Sequence, residues 1–235
     1  MPEQETEKLT GDSMGIDLGI KVLATCYASG ERKATVFKSV NKTKEVRRLE
    51  KKLRREQRKQ SRKILANTAR YETVQRKGKK PGRKPIWKRP LRECQNIEKG
   101  RRKIALIHRR MTNIRQNHIH QTTAAIVKTK PSRIVMENLN VKGMMKNKHL
   151  AKGIASEKFY EFRRQMTYKC ENNGIQLVFA DRFYPSSKTC SCCGHVKENL
   201  KLNDRKYVCQ ACGTAIDRDL NAAINLANYF QSETA

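Results

Sequence analysis

The 235-residue sequence lacks long apolar runs and is poor in acidic residues. No apolar run approaches the roughly 20 residues that a membrane-spanning helix requires, so we do not expect a membrane-embedded protein. Asp and Glu number 22 against 52 Lys and Arg, which gives a formal net charge of +30 at pH 7. This imbalance disfavours an acidic small-molecule enzyme or an extracellular binding domain, and it favours a polyanionic partner, DNA or RNA.

A secretory signal is also missing from the polar and acidic start of the chain, MPEQETEKLTGDS. We therefore expect the eight cysteines to serve as reduced thiols or metal ligands rather than as disulfides. Hydrophobic residues make up 37% of the chain, which is low for a globular protein but enough for a core at this length.

The positive charge is concentrated in one part of the chain. Residues 31–110 contain 31 Lys and Arg against 7 Asp and Glu, whereas residues 171–235 are electrically neutral. A short basic run is usually a solvated helix face, but a net charge of +24 over 80 residues would repel itself without a polyanion. The candidate nucleic-acid contacts are Arg47, Arg48, Lys51, Lys52, Arg54, Arg55, Arg58, Lys59, Lys79, Lys80, Arg83 and Lys84.

Hydrophobic periodicity predicts a mixed α/β sheet with flanking helices. The predicted strands are two within 14–27, then 34–37, 132–137 and 175–180. The predicted helices are 43–65, 96–128, 156–173 and 219–230, the last with Ala222, Ala223, Leu226 and Phe230 on its apolar stripe. The first two helices are candidates for a hairpin. Residues 71–92 contain several Gly and Pro residues, which predicts a basic loop without regular structure.

Four cysteines have the spacing of a structural zinc ribbon. Cys190-x-x-Cys193 is followed after fifteen residues by Cys209-x-x-Cys212. Four thiolates would close a tetrahedral Zn²⁺ site with no open position for a substrate, so this metal is expected to stabilise the fold. Cys192 is adjacent to Cys193 and leaves no room for a knuckle, which argues against it as a ligand. We interpret Cys26, Cys94 and Cys170 as ordinary thiols.

Three carboxylates stand in positions that require an explanation. Asp17 lies inside an apolar strand, Glu137 follows the apolar run at 134–136, and Asp219 opens the last predicted helix. Alternatives remain for two of them, because Glu137 could be a loop residue and Asp219 or Asp217 could be a helix N-cap. If the fold brings the three together, they form an all-oxygen site suited to Mg²⁺ or Mn²⁺, as in two-metal phosphodiester cleavage.

These segments resemble the TnpB/OrfB family of insertion-sequence RNA-guided nucleases. The resemblance is carried by GIDLGIK at 15–21, IVMENLNVKGMMKN at 134–147, DRFYPSSKTCSCCG at 181–194 and DRDLNAAINL at 217–226. It implies an RNase H-like (RuvC) fold with an inserted zinc ribbon, and a DNA endonuclease that uses divalent metal. Asp17, Glu137 and Asp219 match the family's catalytic metal ligands, and Arg218 and Asn221 become candidates for substrate or ligand support.

The resemblance also implies a domain organisation and partners. We expect a polar tail at 1–13, a RuvC-like domain at 14–185 with a basic helical hairpin at about 43–128, a zinc ribbon at 186–213, and a completing helix at 214–231. The implied partners are a DNA substrate and a guide RNA, in a prokaryotic, cytoplasmic and nucleoid-associated setting. Pairing with the guide would read the target sequence.

Family members carry a long N-terminal lobe ahead of the segment that starts here at Gly15. The expectation from the resemblance is therefore a truncated, naturally short or split form, with a separate or missing lobe. This leaves two alternatives to the nuclease: a non-catalytic RNA- or DNA-binding remnant or regulator, and a zinc-ribbon adaptor. The adaptor would explain the cysteines but not Asp17.

Overall fold

A computed structural model describes residues 9–31, 33–76, 78–201 and 204–230. The chain forms two units, one made of the residues up to Asn41 together with those from Arg115 onward, and one made of Lys42–Ile114. Within the described ranges, no helix combines the length and the apolar character needed to cross a membrane.

The secondary structure contains both strands and helices. The strands are β1 (Thr10–Leu18), β2 (Val22–Ala28), β3 (Thr35–Lys38), β4 (Thr68–Arg76), β5 (Lys79–Trp87), β6 (Pro131–Met136), β7 (Gln176–Phe179), β8 (Lys206–Val208) and β9 (Ala215–Asp217). The helices are α1 (Lys44–Ala66), α2 (Gln95–Lys128), α3 (Val141–Met144), α4 (Lys148–Glu157), α5 (Phe159–Asn172) and α6 (Arg218–Ala227).

The first unit is built on a five-stranded sheet in the order β3-β2-β1-β6-β7. β1, β2 and β3 pair antiparallel as a meander, whereas β6 and β7 join β1 in parallel. The core on this sheet combines apolar strand residues such as Ile16 and Ile134 with Phe162 and Met166 of α5. The predicted mixed α/β class is thereby confirmed.

Helix α6 packs directly on β1 because β1 carries a glycine at the contact. A Cβ atom on Gly15 would lie 2.0 Å from the carbonyl oxygen of Ala223 and 2.3 Å from the amide nitrogen of Ala227. The helix presents the small buried residues Ala222, Ala223 and Ala227 alongside Leu226. Small residues on both elements therefore allow the backbones to approach closely.

The second unit is a helix pair that carries a β-hairpin. α1 and the part of α2 before Arg115 run antiparallel: Glu45 accepts a hydrogen bond from Arg110 (2.8 Å), and the side chain of Gln60 donates to the carbonyl of Ile97 (3.0 Å). Gln60 is buried against Gly100, where a Cβ would lie 2.0 Å from its Oε1. Between the helices, β4 and β5 pair antiparallel.

The prediction of an irregular loop at 71–92 is wrong, because β4 and β5 occupy most of it. A two-stranded hairpin has an unpaired edge on each strand, and a proline is tolerated where its nitrogen faces that edge. Pro81 and Pro85 are four residues apart and therefore share one side of β5. Gly78 has a φ of 70°, a left-handed conformation that suits the tight connection between the strands.

Several predicted boundaries also require correction. The predicted tail reaches into β1, since Thr10 and Ser13 pair with Pro131 and Arg133; residues 1–8 lie outside the described ranges. The ribbon continues past 213, because β8 pairs with β9 up to Asp217.

Two helix predictions also change. The helix predicted at 156–173 is two helices, α4 and α5, separated by Lys158 in the left-handed region (φ 52°). α6 ends at Ala227, so Phe230 leaves the predicted stripe and is 84% exposed, while Tyr229 is buried.

Candidate active site and metal centre

Two of the three predicted carboxylates lie where two neighbouring parallel strands end: Asp17 near the end of β1 and Glu137 directly after β6. Ile16 of β1 pairs with Met136 of β6, so the next residues along, Asp17 and Glu137, fall at the same end of the sheet. Parallel strands place residues of the same register side by side. Both side chains are half-buried at this carboxyl end of β6.

The third carboxylate reaches this end of the sheet on α6. Asp217 is the N-cap of the helix and accepts hydrogen bonds from the amides of Asp219 (2.9 Å) and Leu220 (3.1 Å). Asp219 is thus in the first turn of α6, one turn before Ala223. Ala223 packs against Gly15, which is two residues from Asp17 on β1. The N-cap interpretation therefore applies to Asp217 and leaves the Asp219 carboxylate available.

The three carboxyl groups influence one another electrostatically. Burial raises the pKa of Asp17 well above its usual range, and the nearby Glu137 and Asp219 raise this pKa further. Burial also raises the pKa of Glu137, against a hydrogen bond from Ser186 that lowers it. Burial and the neighbouring Asp217 raise the pKa of Asp219. The positive charge near the site is therefore too small to stabilise all three carboxyl groups in their ionised form.

Two arginines supply part of that charge. Arg218 lowers the pKa of both Asp17 and Glu137, and Arg205 lies 3.9 Å from Oδ2 of Asp219. The Arg218 guanidinium also donates to the carbonyl of Lys201 (3.2 Å), which ties it to the ribbon. No pattern in the sequence around Arg205 predicts its contact with Asp219, because the two residues approach each other only when the ribbon folds.

The carboxylates are more widely spaced than the ligands of a single closed site. Among the residues that the structure describes, the four cysteine sulfurs all lie within 4.8 Å of one another, and the three carboxylates do not form such a close group. Carboxylates that flank two cations about 4 Å apart do not need to converge on one point. The raised pKa values and the all-oxygen donor set fit hard divalent cations such as Mg²⁺ or Mn²⁺.

Ser186 is a site residue that the sequence reasoning missed. Its hydroxyl donates a 2.6 Å hydrogen bond to Oε1 of Glu137, although the two residues are 49 positions apart. Ser186 is almost fully buried. The only available signal was its position in the PSSKTC segment that leads into the first cysteine pair.

The cysteine cluster has the geometry of a tetrahedral metal centre. The Sγ atoms of Cys190 and Cys212 are 3.7 Å apart, and those of Cys193 and Cys209 are 3.6 Å apart. Four sulfurs at about 2.3 Å from a central ion would be separated by about 3.8 Å, the edge of that tetrahedron. The described cysteines are all free, so the separations fit a shared metal ion rather than disulfides.

Local hydrogen bonds favour the thiolate form at one end of this cluster. The Thr214 side chain and amide lower the pKa of Cys212 to about 6, and the amide of Cys212 lowers the pKa of Cys209. Metal ions bind the thiolate. Cys192 is exposed and outside the cluster, while Cys26 and Cys170 are buried thiols whose pKa is raised by burial.

The ribbon packs around one buried aromatic residue. Tyr207 of β8 is fully buried against Cys190 and Cys209, and its hydroxyl donates to the carbonyls of Lys188 (3.0 Å) and His195 (3.2 Å). Gly194 and Gly213 follow the two cysteine pairs with φ values of 76° and 71°. Their left-handed conformations complete the two knuckles.

Asn221, a candidate for substrate or ligand support, lies between α6 and the ribbon, and that role stays a prediction. It is fully buried, its Oδ1 accepts from the amide of Ser191 (3.0 Å), and its Nδ2 donates to the carbonyl of Thr189 (2.7 Å). Asn225 sits one turn further along α6 and donates to the carbonyls of Ser186 and Thr189, both at 2.7 Å. The asparagines therefore join α6 to the ribbon.

The predicted nucleic-acid contacts lie in the second unit. Those on α1 (Arg47, Arg48, Lys51, Lys52, Arg54, Arg55, Arg58 and Lys59) and two on β5 (Arg83 and Lys84) are exposed. The side chains of Lys79 and Lys80 lie outside what the structure describes. Exposure is compatible with a nucleic-acid role, which stays a prediction for each of these residues.

Sequence comparison identifies the family. The model of the OrfB_IS605 family, described as "Probable transposase", matches residues 1–148, well over half of the chain. The chain belongs to the OrfB_IS605 family. A second model, "Cas12f1-like, TNB domain", matches residues 159–226. Both matches confirm the resemblance to TnpB/OrfB proteins.

Two relatives of this OrfB_IS605 chain match most of its length. A Mycobacterium tuberculosis protein named "Putative RNA-guided DNA endonuclease" is 31% identical over 97% of the chain and 44% of the relative. The Escherichia coli "Putative RNA-guided DNA endonuclease InsQ" is 29% identical over 91% of the chain and 48% of the relative. The chain thus spans less than half the length of these curated relatives.

A solved structure shares the fold of the OrfB_IS605 chain. A Cas12f1 determined in a complex with sgRNA and target DNA matches with a TM-score of 0.59 and 18% sequence identity, over 94% of this chain and 51% of that chain. This similarity confirms the RuvC-like α/β fold with its ribbon insertion.

Proposed function

We propose that the chain is the nuclease domain of a transposon-associated, RNA-guided DNA endonuclease that depends on divalent metal ions. The placement of Asp17, Glu137 and Asp219 at one end of the sheet carries the proposal, because β1, β6 and α6 converge there. Two relatives are named as RNA-guided DNA endonucleases, which supports DNA as the substrate and a guide RNA as a partner.

In this proposal, Asp17, Glu137 and Asp219 hold Mg²⁺ or Mn²⁺, and the four ribbon cysteines hold a structural Zn²⁺. The divalent cations supply water activation and stabilisation of the leaving oxygen during phosphodiester hydrolysis. Ser186 orients Glu137, and Arg205 and Arg218 offset part of the carboxylate charge. The exposed cations of α1 and β5 bind the nucleic-acid backbone without reading its sequence.

The test is cleavage of single-stranded and duplex DNA with Mg²⁺, with and without RNA that co-purifies with the protein. Asp17→Ala should abolish cleavage, because a two-metal site does not tolerate the loss of a ligand. Asp12→Ala is the matched control, since Asp12 is an exposed carboxylate on the same strand. Equal activity of the wild type and Asp17→Ala would refute the proposed chemistry.

A second candidate function is a non-catalytic nucleic-acid-binding module. It is favoured by the exposed cations of the second unit. The same experiment separates the two functions. Binding with a steep salt dependence but no metal-stimulated cleavage would support the binding module.

A further inference from the structure

A continuous series of hydrogen bonds joins the cysteine cluster to the carboxylate site. At the cluster end, the amide of Ser191, between the first two cysteine ligands, donates to Asn221 Oδ1 (3.0 Å). Asn221 and Asn225 both donate to the carbonyl of Thr189 at 2.7 Å. At the other end, Asn225 also donates to the carbonyl of Ser186, whose hydroxyl donates to Glu137 at 2.6 Å.

The side chains in this series are shielded from water. Asn221 is fully buried, Ser186 is 3% exposed and Asn225 is 6% exposed. Polar groups that are buried this deeply lose water as an alternative partner, so breaking one hydrogen bond leaves the other group unsatisfied. The segment from Ser186 to Ser191 is therefore held in one position by α6, which also carries Asp219.

From these contacts we infer that Ser186 is a positioning residue for Glu137 and that the ribbon, through Asn221 and Asn225, fixes Ser186. This inference rests on the proposed function. A ligand that is oriented by an outer hydrogen bond binds metal more tightly, and removal of such a partner typically costs about 10- to 100-fold in metal affinity. Metal occupancy of the ribbon then sets cation affinity at the carboxylate site.

The first experiment measures Mn²⁺ binding to the full chain without DNA, from the EPR signal of free Mn²⁺. Ser186→Ala should weaken binding about tenfold, while Ser186→Thr, which keeps a hydroxyl, should restore most of the affinity. Ser187→Ala is the matched control, because its side chain takes no part in the series. Asn225→Ala perturbs Ser186 in a second way, because it removes the hydrogen bond to the Ser186 carbonyl and leaves the Ser186 hydroxyl in place. This variant should also weaken Mn²⁺ binding.

The second experiment tests the link to the ribbon with a double-mutant cycle. Cys212→Ser, which removes one cluster ligand, should weaken Mn²⁺ binding in the wild type but add little in the Ser186→Ala background. Interactions that act through one path are not additive. Wild-type Mn²⁺ affinity in Ser186→Ala, or full additivity of the two changes, would overturn the inference.

Asp17→Ala separates this inference from the proposed function. If the wild type binds no Mn²⁺ more tightly than Asp17→Ala does, the carboxylate site itself is refuted. If Asp17→Ala loses Mn²⁺ and DNA cleavage while Ser186→Ala keeps wild-type affinity, only the positioning role is refuted. Thermal unfolding and elemental analysis of zinc on each variant show whether the ribbon remains folded.

Discussion

Replacement of Gly15 by alanine tests the contact that brings α6 to the sheet. The new Cβ would lie 2.0 Å from Ala223 O, 2.3 Å from Ala227 N and 2.9 Å from Leu226 C, all of them backbone atoms of α6. A carbon contact requires about 3.5 Å, so the helix would have to retreat by roughly 1.5 Å. Overpacking of this kind costs about 3 kcal/mol, the upper end of the usual range.

For a domain of this size, that cost corresponds to a fall in Tm of about 6–12 °C. The same shift would move Asp219, and a displacement of about 1 Å in a catalytic site can reduce the rate about 100-fold. Circular dichroism melting and Mg²⁺-dependent cleavage measure the two effects.

Gly11→Ala is the control for this substitution. Gly11 lies on the same strand with no atom within 4 Å of its Cβ position, so this change should alter stability by less than about 0.5 kcal/mol. A Gly15→Ala protein that melts within 2 °C of the wild type, on the order of the ~0.5 kcal/mol of a neutral change, would refute the close packing of α6 on β1.

Three further predictions concern the carboxylates, the cysteines and the basic helix. The pKa of Asp17 is raised in the folded state, so its protonated carboxyl stabilises the metal-free fold at low pH. This stabilisation is lost as the pH rises through the folded-state pKa, and a difference of one pH unit between the folded-state and unfolded-state pKa corresponds to about 1.4 kcal/mol. Asp17→Asn should therefore melt above the wild type at neutral pH without metal, and an equal or lower Tm would contradict this. Cys209→Ala should lose the zinc that the four cysteines are proposed to hold and should melt at a lower temperature, while Cys192→Ala should keep the zinc and the wild-type Tm, as measured by elemental analysis and melting. Arg54, Arg58 and Arg62 share one exposed face of α1, and their joint replacement by Gln should reduce the salt slope of DNA binding by about 2–3. Arg164→Gln, at a residue already paired with Glu161, should leave that slope unchanged.

The elements that the sequence predicted well are those with a local pattern. The apolar run around Asp17 predicts a buried strand, and the spacing of Cys190, Cys193, Cys209 and Cys212 predicts their convergence. Each pattern reflects a requirement of a short segment, such as the period of a strand or the reach of a knuckle. The placement of Glu137 beside Asp17 needed one further step, the parallel pairing of β1 with β6.

The features that escaped prediction depend on contacts between distant segments. Nothing near Ser186 indicates that its hydroxyl will meet Glu137, and the hydrogen bonds of Asn221 and Asn225 to the carbonyl of Thr189 form only when α6 meets the ribbon. The β4–β5 hairpin was missed for another reason. Prolines are breakers in a central strand but not along the open edge of a two-stranded ribbon, so composition alone predicted a loop.

The β4–β5 hairpin leaves and rejoins its helix pair at nearly the same point. The amide of Lys88 donates to the carbonyl of Asn67 (2.8 Å), and the Asn67 side chain donates to the carbonyl of Arg89 (2.8 Å). The two ends are thus clamped about one strand spacing apart, roughly 5 Å. Because these hydrogen bonds hold the two ends together, we expect that the hairpin can be shortened, lengthened or replaced by another module without altering the path of α1 or α2. This position is therefore suited to the insertion of other modules in protein engineering.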